Sequence, residues 1–409
     1  MPLSYCTNVH PAEDLDGVLA QLDRYAGPVR AAAGLDTLGV GLWLPADLAH
    51  RLAASPADRD RLRAALARHR LTVHTLNAFP YGGFHAEVVK RAVYSPTWAD
   101  PARAAYTLAC AEVLADLLPD GVDGSISTLP LAWREPWSAA DDAAATAALA
   151  DVSAGLRALA ARTGRTVRLA VEPEPGCVLD TVADVVGWLE PRLGAGPGRI
   201  DPEHVGVCLD TCHLAVSFAD PVAAVRRIRQ AGLRVVKVQA SAALHVVDPA
   251  DPASRAAVAR FAEPRYLHQV RERSGGAVHP ADDLPDALDA RTGLPGAGPW
   301  RVHVHVPLHA RPAAPLEATT DVLRDAVTAV LRGPHGDAAH LDVETYTWAV
   351  LPDDLAARAA DDLVAGIAAE LRWAVEHLDR GSWWDADAGA GGAGAGDTDR
   401  DVRTTRRTA

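Results

Sequence analysis

Three apolar runs in this chain end in a carboxylate. Val205-Gly-Val-Cys-Leu-Asp-Thr-Cys-His213 delivers Asp210 and, three residues later, His213. Val167-Arg-Leu-Ala-Val-Glu172 delivers Glu172, and His340-Leu-Asp-Val-Glu344 delivers Glu344. Runs of this kind read as buried strands. Unpaired charges avoid such positions, because desolvating them is costly unless a cation or a partner compensates. Carboxylates with a His or an amide oxygen at strand tips suit Mn²⁺, Mg²⁺ or Zn²⁺. An ion held there could polarise a carbonyl/hydroxyl pair or generate a hydroxide, and a carboxylate could move a proton.

Side chains i and i+2 share a strand face. That parity groups Glu172 with Glu174, Lys237 with Gln239 and Ser241, and Asp342 with Glu344 and Tyr346. If these faces point inward, the groups converge on one mouth. Glu172 and Glu344 are then placed for proton transfer. Lys237 joins them as a suspect, because 40 basic residues include only two lysines, Lys90 and Lys237. Arginine replaces lysine on a solvated surface but not where a compact, deprotonatable amine is needed. Asn8 and His10 share a face at the end of the first strand, Asn77 stands in the third, and His303 and His305 lie on one strand face with Arg301. These are the candidate substrate contacts. Each has a plainer alternative. Asp210 also suits a helix N-cap, His213 a capping or packing role, and His10 a position just before a helix starting at Pro11. His303 and His305 suit a solvated insertion strand. Of Glu172 and Glu174, one is expected to face the site and the other a loop.

The elements that must hold these residues alternate short β-rich runs with helical patterns, the mark of βαβ units and a parallel sheet. Strands are expected at 3–9, 38–44, 72–79, 124–130, 166–172, 205–210, 234–239 and 340–345. Amphipathic helices lie between them, one with Leu149, Val152, Leu156 and Leu159 on one face. The last helix carries Leu363, Ile367, Leu371 and Leu378. Eight such units predict a closed (β/α)₈ barrel, α/β in class. The loop Pro80-Tyr-Gly-Gly-Phe-His85 is long for a βα turn, and such loops carry function. Between the seventh and eighth strands, about 245–308, Arg265–Val270 and Trp300–Val306 suggest a β-rich insertion. Strict alternation over 300–306 predicts one wet face. The alternative is that 300–306 is itself a barrel strand. The barrel with its insertion is expected to span 1–384. Residues 385–409, rich in Gly and Ala and then in Arg, lack the means to pack and are expected to be disordered.

Composition narrows the classes. With 49% hydrophobic and 23% charged residues, the chain reads as a globular enzyme. A net charge of −13 argues against a nucleic-acid partner. Neither a run of about 18 apolar residues nor a signal-like N-terminus is present, so a cytoplasmic protein is expected. The five cysteines include no C-x-x-C pair, which fits buried thiols rather than a disulfide framework.

These motifs resemble the xylose-isomerase-like superfamily of barrels, which includes sugar isomerases, epimerases and endonuclease IV. Gly206–His213 is similar to the endonuclease IV metal motif, Glu172-Pro-Glu-Pro-Gly176 to the Glu-x-x-x-Gly after the fifth strand, and Val343-Glu344-Thr345 to the last-strand glutamate. The resemblance implies a divalent metal at Glu172, Asp210, His213 and Glu344. Gln239 stands where many of these epimerases have a metal-binding His. Further histidines of the endonuclease pattern are missing, with Asn77 and Thr128 nearby. A resemblance over nearly the whole chain is to the EboE family of metabolite-traffic proteins. Tyr5–Pro11, Leu76–Gly82, Gly124–Leu131, Glu172–Cys177, the Asp210 motif and Val343–Trp348 carry it. It implies a pathway that moves secondary-metabolite precursors, with a small metabolite and other proteins of that pathway as partners. Three functions remain in view: metal-dependent isomerisation or epimerisation of a small polyhydroxylated metabolite, metal-assisted hydrolysis, and a non-catalytic carrier or scaffold.

Overall fold

The computed structural model describes residues 2–355 and 360–378. The expected disordered tail at 385–409 lies outside the described residues. Eight parallel strands close a barrel: β1 (Leu3–Cys6), β2 (Leu38–Trp43), β3 (Leu71–Asn77), β4 (Gly124–Thr128), β5 (Val167–Val171), β6 (Val205–Asp210), β7 (Val235–Ala240) and β13 (His340–Val343). Their order is β1-β13-β7-β6-β5-β4-β3-β2, so the last strand closes the ring between the first and the seventh. Each strand is almost wholly buried because core lies on both faces. Helix Ala139–Thr163 is long and apolar enough, by length and composition only, to cross a membrane. Its Leu149, Val152, Leu156 and Leu159 are buried in the barrel's shared core.

Between β7 and β13 lies a five-stranded antiparallel sheet, ordered β10-β9-β11-β8-β12. It comprises β8 (Leu244–Val246), β9 (Val270–Ser274), β10 (Ala277–Ala281), β11 (Trp300–Val302) and β12 (Leu316–Ala318). The insertion thus runs past the expected 308 to Ala318. It has its own apolar core, with Val246, Phe261, Trp300 and Val304 among its members. The alternating segment 300–306 is neither a barrel strand nor half-wet. Only Trp300–Val302 pairs, and every residue from Val302 to Leu308 is buried. Past β11 the chain lies between the sheet and the barrel mouth, so both of its faces are covered.

A second clasp joins the insertion to the loop after β3. The N–H groups of Val89 and Lys90 both donate to Arg265 O at 2.8 Å. Lys90 Nζ lies 2.6 Å from Asp283 Oδ2. Tyr266 Oη donates to Phe84 O at 3.3 Å. The long loop and the insertion therefore form one roof over the strand C-termini.

Candidate metal centre

Asp210 is the last residue of β6 and the N-cap of helix Thr211–Val216. The cap and the site use different oxygens. Oδ1 accepts from the N–H groups of Cys212 and His213 and from Ser241 Oγ, at 2.7, 3.0 and 2.7 Å. Oδ2 is buried without a hydrogen-bond partner. The capping alternative is therefore real, and it leaves one oxygen free. Glu172 and Glu344 follow β5 and β13 directly, and their carboxylate oxygens with that of Asp210 lie within 4.8 Å of one another. Asn8 and Asn77 do not stand apart as substrate contacts alone. Their amides donate to Glu344 Oε1 at 2.7 and 3.0 Å and fix it.

Both Glu172 and Glu174 enter the site, against the expectation that one would be a loop residue. The chain turns sharply through Pro173–Gly176, so strand parity ends at Val171. Gly176 sits at φ +90°, where a side chain would also strike Trp133. Glu174 accepts from Tyr94 Oη at 2.6 Å and from Gln269 Nε2 at 3.2 Å. Its free space faces His213 and His303, with which it makes a second donor set within 4.8 Å.

The imidazoles are oriented by carbonyl oxygens. His213 Nδ1 donates to Pro173 O at 2.8 Å and His305 Nδ1 to Glu344 O at 2.8 Å. His303 Nδ1 donates to Gln269 Oε1 at 2.6 Å, and Gln269 is itself fixed by donating to Pro175 O at 2.9 Å. A carbonyl only accepts, so each Nδ1 carries a proton and each ring turns Nε2 into the site. His213 Nε2 and His303 Nε2 face each other at 3.1 Å. Two lone pairs at that distance repel unless a cation or proton lies near both. His305 Nε2 is buried without a partner, 3.8 Å from Asp210 Oδ2. An Nδ1–H held by a carbonyl, with Nε2 aimed at carboxylates, is the arrangement of metal-ligating histidines.

The electrostatics point the same way. Burial, then the charges of Asp210 and Glu344, push Glu172 well above the usual carboxylate range. Glu344 is pushed up to about 8 by burial and by Asp210, with Lys237 opposing. Burial lowers His305 to about 4 and His303 well below its usual value. Burial also disfavours the Asp210 carboxylate, but His213, His305 and its hydrogen bonds outweigh that and lower its pKa. Crowded carboxylates, imidazoles oriented through Nδ1, and orphaned inward atoms at Glu172 Oε2, Asp210 Oδ2 and His305 Nε2 fit a divalent cation.

Two expected residues lie elsewhere. Lys237 is fully enclosed, 2.8 Å from Asp342 Oδ2 and 3.3 Å from Ser127 Oγ, and it does not line the cavity. Burial works against its charge, yet Asp342 outweighs that and raises its pKa. It is a counter-charge one layer beneath the site and not a group that meets substrate. His10 stacks on Tyr25 and hydrogen-bonds Tyr5 Oη at 3.1 Å, in a separate small cavity. Gln239 is beside Asp210 in the β6–β7 register, and both of its amide atoms are buried without partners. Sequence reasoning gave the site only one of Glu172 and Glu174, and it missed Tyr94 and Gln269. Tyr94 ends a short 3-10 turn and Gln269 precedes β9, where no periodicity marks them.

The family described as xylose isomerase-like TIM barrel matches residues 29–260, more than half of the chain. The chain belongs to that family. The matched stretch of this xylose isomerase-like barrel contains Glu172, Asp210 and His213, whereas His303, His305 and Glu344 lie beyond it. Three solved structures are similar to it. An L-ribulose 3-epimerase is 15% identical over 90% of this chain and 92% of that chain, with a TM-score of 0.46. The IolI protein with a bound zinc atom is 11% identical over 92% and 98%, with a TM-score of 0.48. A family 2 AP endonuclease from Brucella melitensis is 17% identical over 58% and 78%, with a TM-score of 0.35. No curated protein matches the chain.

Proposed function

We propose that this barrel is a metal-dependent isomerase or epimerase of a small hydroxylated metabolite, working in the cytoplasm within an EboE-type metabolite-traffic pathway. One observation carries the chemistry: Glu172, Asp210 and Glu344 converge, with Glu172 Oε2 and Asp210 Oδ2 left unpaired beside His305 Nε2. These four residues would hold the cation, with Gln239 adjacent. A bound divalent ion would supply Lewis acidity toward neighbouring substrate oxygens.

The chain's own groups do the rest. Glu344, gripped by Asn8 and Asn77, is locked in orientation. Glu172, whose pKa is raised by burial and its neighbours, would be held as a carboxylate by the cation and take a proton from a carbon beside a substrate oxygen. Glu344, on the neighbouring side of the same cluster, is placed to return one. The roof made by the 80–94 loop and the insertion shields the cluster from bulk solvent, and because one carboxyl removes the proton and another returns one, the carbon ends with a solvent-derived hydrogen.

A second reading, metal-assisted hydrolysis of a small phosphate or ester, draws on the further donor set Glu174, His213 and His303. Two adjacent cations suit an in-line displacement. The test is elemental analysis of purified protein, followed by incubation with hexoses and cyclitols in deuterated water. Bound metal and deuterium appearing at carbon support isomerisation. Release of phosphate or acid without carbon-bound deuterium transfers the assignment to hydrolysis. Neither metal nor turnover leaves a carrier.

A further inference from the structure

The cavity above the carboxylates has a floor and a wall of opposite character. Beneath the floor lie buried polar atoms that have no partner: Asn8 Oδ1, Glu172 Oε2 and His305 Nε2. The wall is carbon, from Phe79, Phe84, Val93, Tyr266, Leu267 and Tyr346. What polar atoms the wall does carry are engaged. Tyr266 Oη donates to Phe84 O, Tyr94 Oη to Glu174, and Lys90 Nζ to Asp283. Tyr346 Oη lies 3.5 Å from His303 Nε2.

The rings of the wall also pack against one another. Phe84 meets Trp43, Tyr266 and Tyr346 at ring-centroid distances of 6.1, 5.3 and 5.5 Å. Tyr266 and Tyr346 meet edge to face at 5.0 Å. A ligand hydroxylated along its whole length would surrender water at the wall and find no partner there, which costs free energy for every hydroxyl. An apolar group would gain from the same burial, and a ring would gain edge and face contacts in addition.

We propose that the substrate is an amphiphile: a compact oxygen-bearing head that reaches Glu172 and Glu344, joined to an apolar, ring-bearing substituent seated against Phe84, Tyr266 and Tyr346. This rests on the metal-centre reading above and narrows its substrate class.

Matched hydroxamates test it, because their head binds a divalent cation and only the tail differs. The metal-loaded full chain is titrated by calorimetry with acetohydroxamate, phenylacetohydroxamate and the polyhydroxylated gluconohydroxamate. The expected result is that the phenyl compound binds about tenfold or more tightly than acetohydroxamate, while gluconohydroxamate gains nothing. Phe84→Ser should remove most of the phenyl advantage and keep acetohydroxamate affinity within about twofold. If that variant does not fold, Leu267→Ser at the other side of the wall serves. Equal binding of the phenyl and methyl compounds, or a preference for the polyhydroxylated tail, overturns the amphiphile and leaves the metal centre standing. If acetohydroxamate shows no metal-dependent binding, the metal-centre reading itself fails and takes this inference with it.

Discussion

Two polar clusters lie inside the same barrel, one strand layer apart, and they are built on opposite terms. In the lower one, Lys237 Nζ meets Asp342 Oδ2 at 2.8 Å and Ser4 Oγ donates to Asp342 Oδ1 at 2.6 Å. Ser125 Oγ bridges Thr75 Oγ1 and His340 Nδ1 at 2.7 and 2.8 Å. One cation faces one anion, and β2 makes room for them with Gly41, whose Cβ would fall on the Asp342 carboxylate. In the upper cluster, Glu172, Asp210 and Glu344 face imidazoles, with inward atoms left without partners. The lower cluster balances its charge within the protein, Lys237 against Asp342. The upper one gathers three carboxylates whose unpartnered oxygens would suit a divalent cation. Burial alone therefore does not mark a functional site; uncompensated burial does.

The strongest way to break this contrast is at the lower cluster. Lys237→Met strands Asp342 as a buried, unpaired anion, and should cost ~3–5 kcal/mol in denaturant unfolding. Lys237→Met combined with Asp342→Asn should recover much of that loss. An equal loss in both variants would show that packing, and not charge balance, holds the layer.

The upper cluster should respond in the reverse sense. Adding Mn²⁺, Zn²⁺ or Mg²⁺ to chelator-treated protein should raise the melting temperature, with a gain of about 2.7 kcal/mol at a hundredfold excess over Kd. Asp210→Asn should lose most of that response while its metal-free stability changes little, relief of carboxylate repulsion offsetting the lost contacts to His213 and His305. Asn still caps the helix, and one of three mutually repelling carboxylates is gone. A large loss that ignores metal would make Asp210 a structural cap alone.

The smallest effect sharpens the comparison at its edge. Glu370 is buried on the last described helix, where its Oε1 accepts from Leu308 N at 3.0 Å and Thr345 Oγ1 at 2.6 Å. Burial raises its pKa to about 7, opposed by those hydrogen bonds. A carboxyl whose pKa is higher folded than unfolded contributes stability that is complete below the ordinary value. That contribution is lost as pH rises through 7. Wild type should lose on the order of 2–3 kcal/mol between pH 5 and pH 8 from this group. Glu370→Gln should flatten the profile, and an unchanged slope would assign the pH dependence to the carboxylates of the upper cluster.

Much of this was legible in the chain because barrel strands are short apolar runs between turns. All eight lie within a few residues of where the sequence puts them, and three strand tips gave Glu172, Asp210 and Glu344. What failed did so where local pattern stopped governing. Alternation at 300–306 read as a wet face, but that segment is sandwiched, and His303 and His305 point into the site. Parity placed Glu172 and Glu174 on one face, yet the turn at Pro173–Gly176 carries Glu174 to a different donor set. The rarity of lysine singled out Lys237 correctly as unusual and incorrectly as a group that meets substrate. Tyr94 and Gln269, which orient Glu174 and His303, belong to loops whose conformation only the assembled roof defines.

The closing strand has a consequence for biogenesis. β13 pairs Leu341 with Leu3 and Asp342 with Ser4 on one side, and with β7 on the other. Glu344 therefore arrives last, and it is gripped by Asn8 from the first βα loop. A chain emerging from the ribosome carries Glu172, Asp210 and the histidines of the insertion well before the ring is shut. A cation held by Glu172, Asp210 and Glu344 would therefore find its full donor set only once the first and last strands have met.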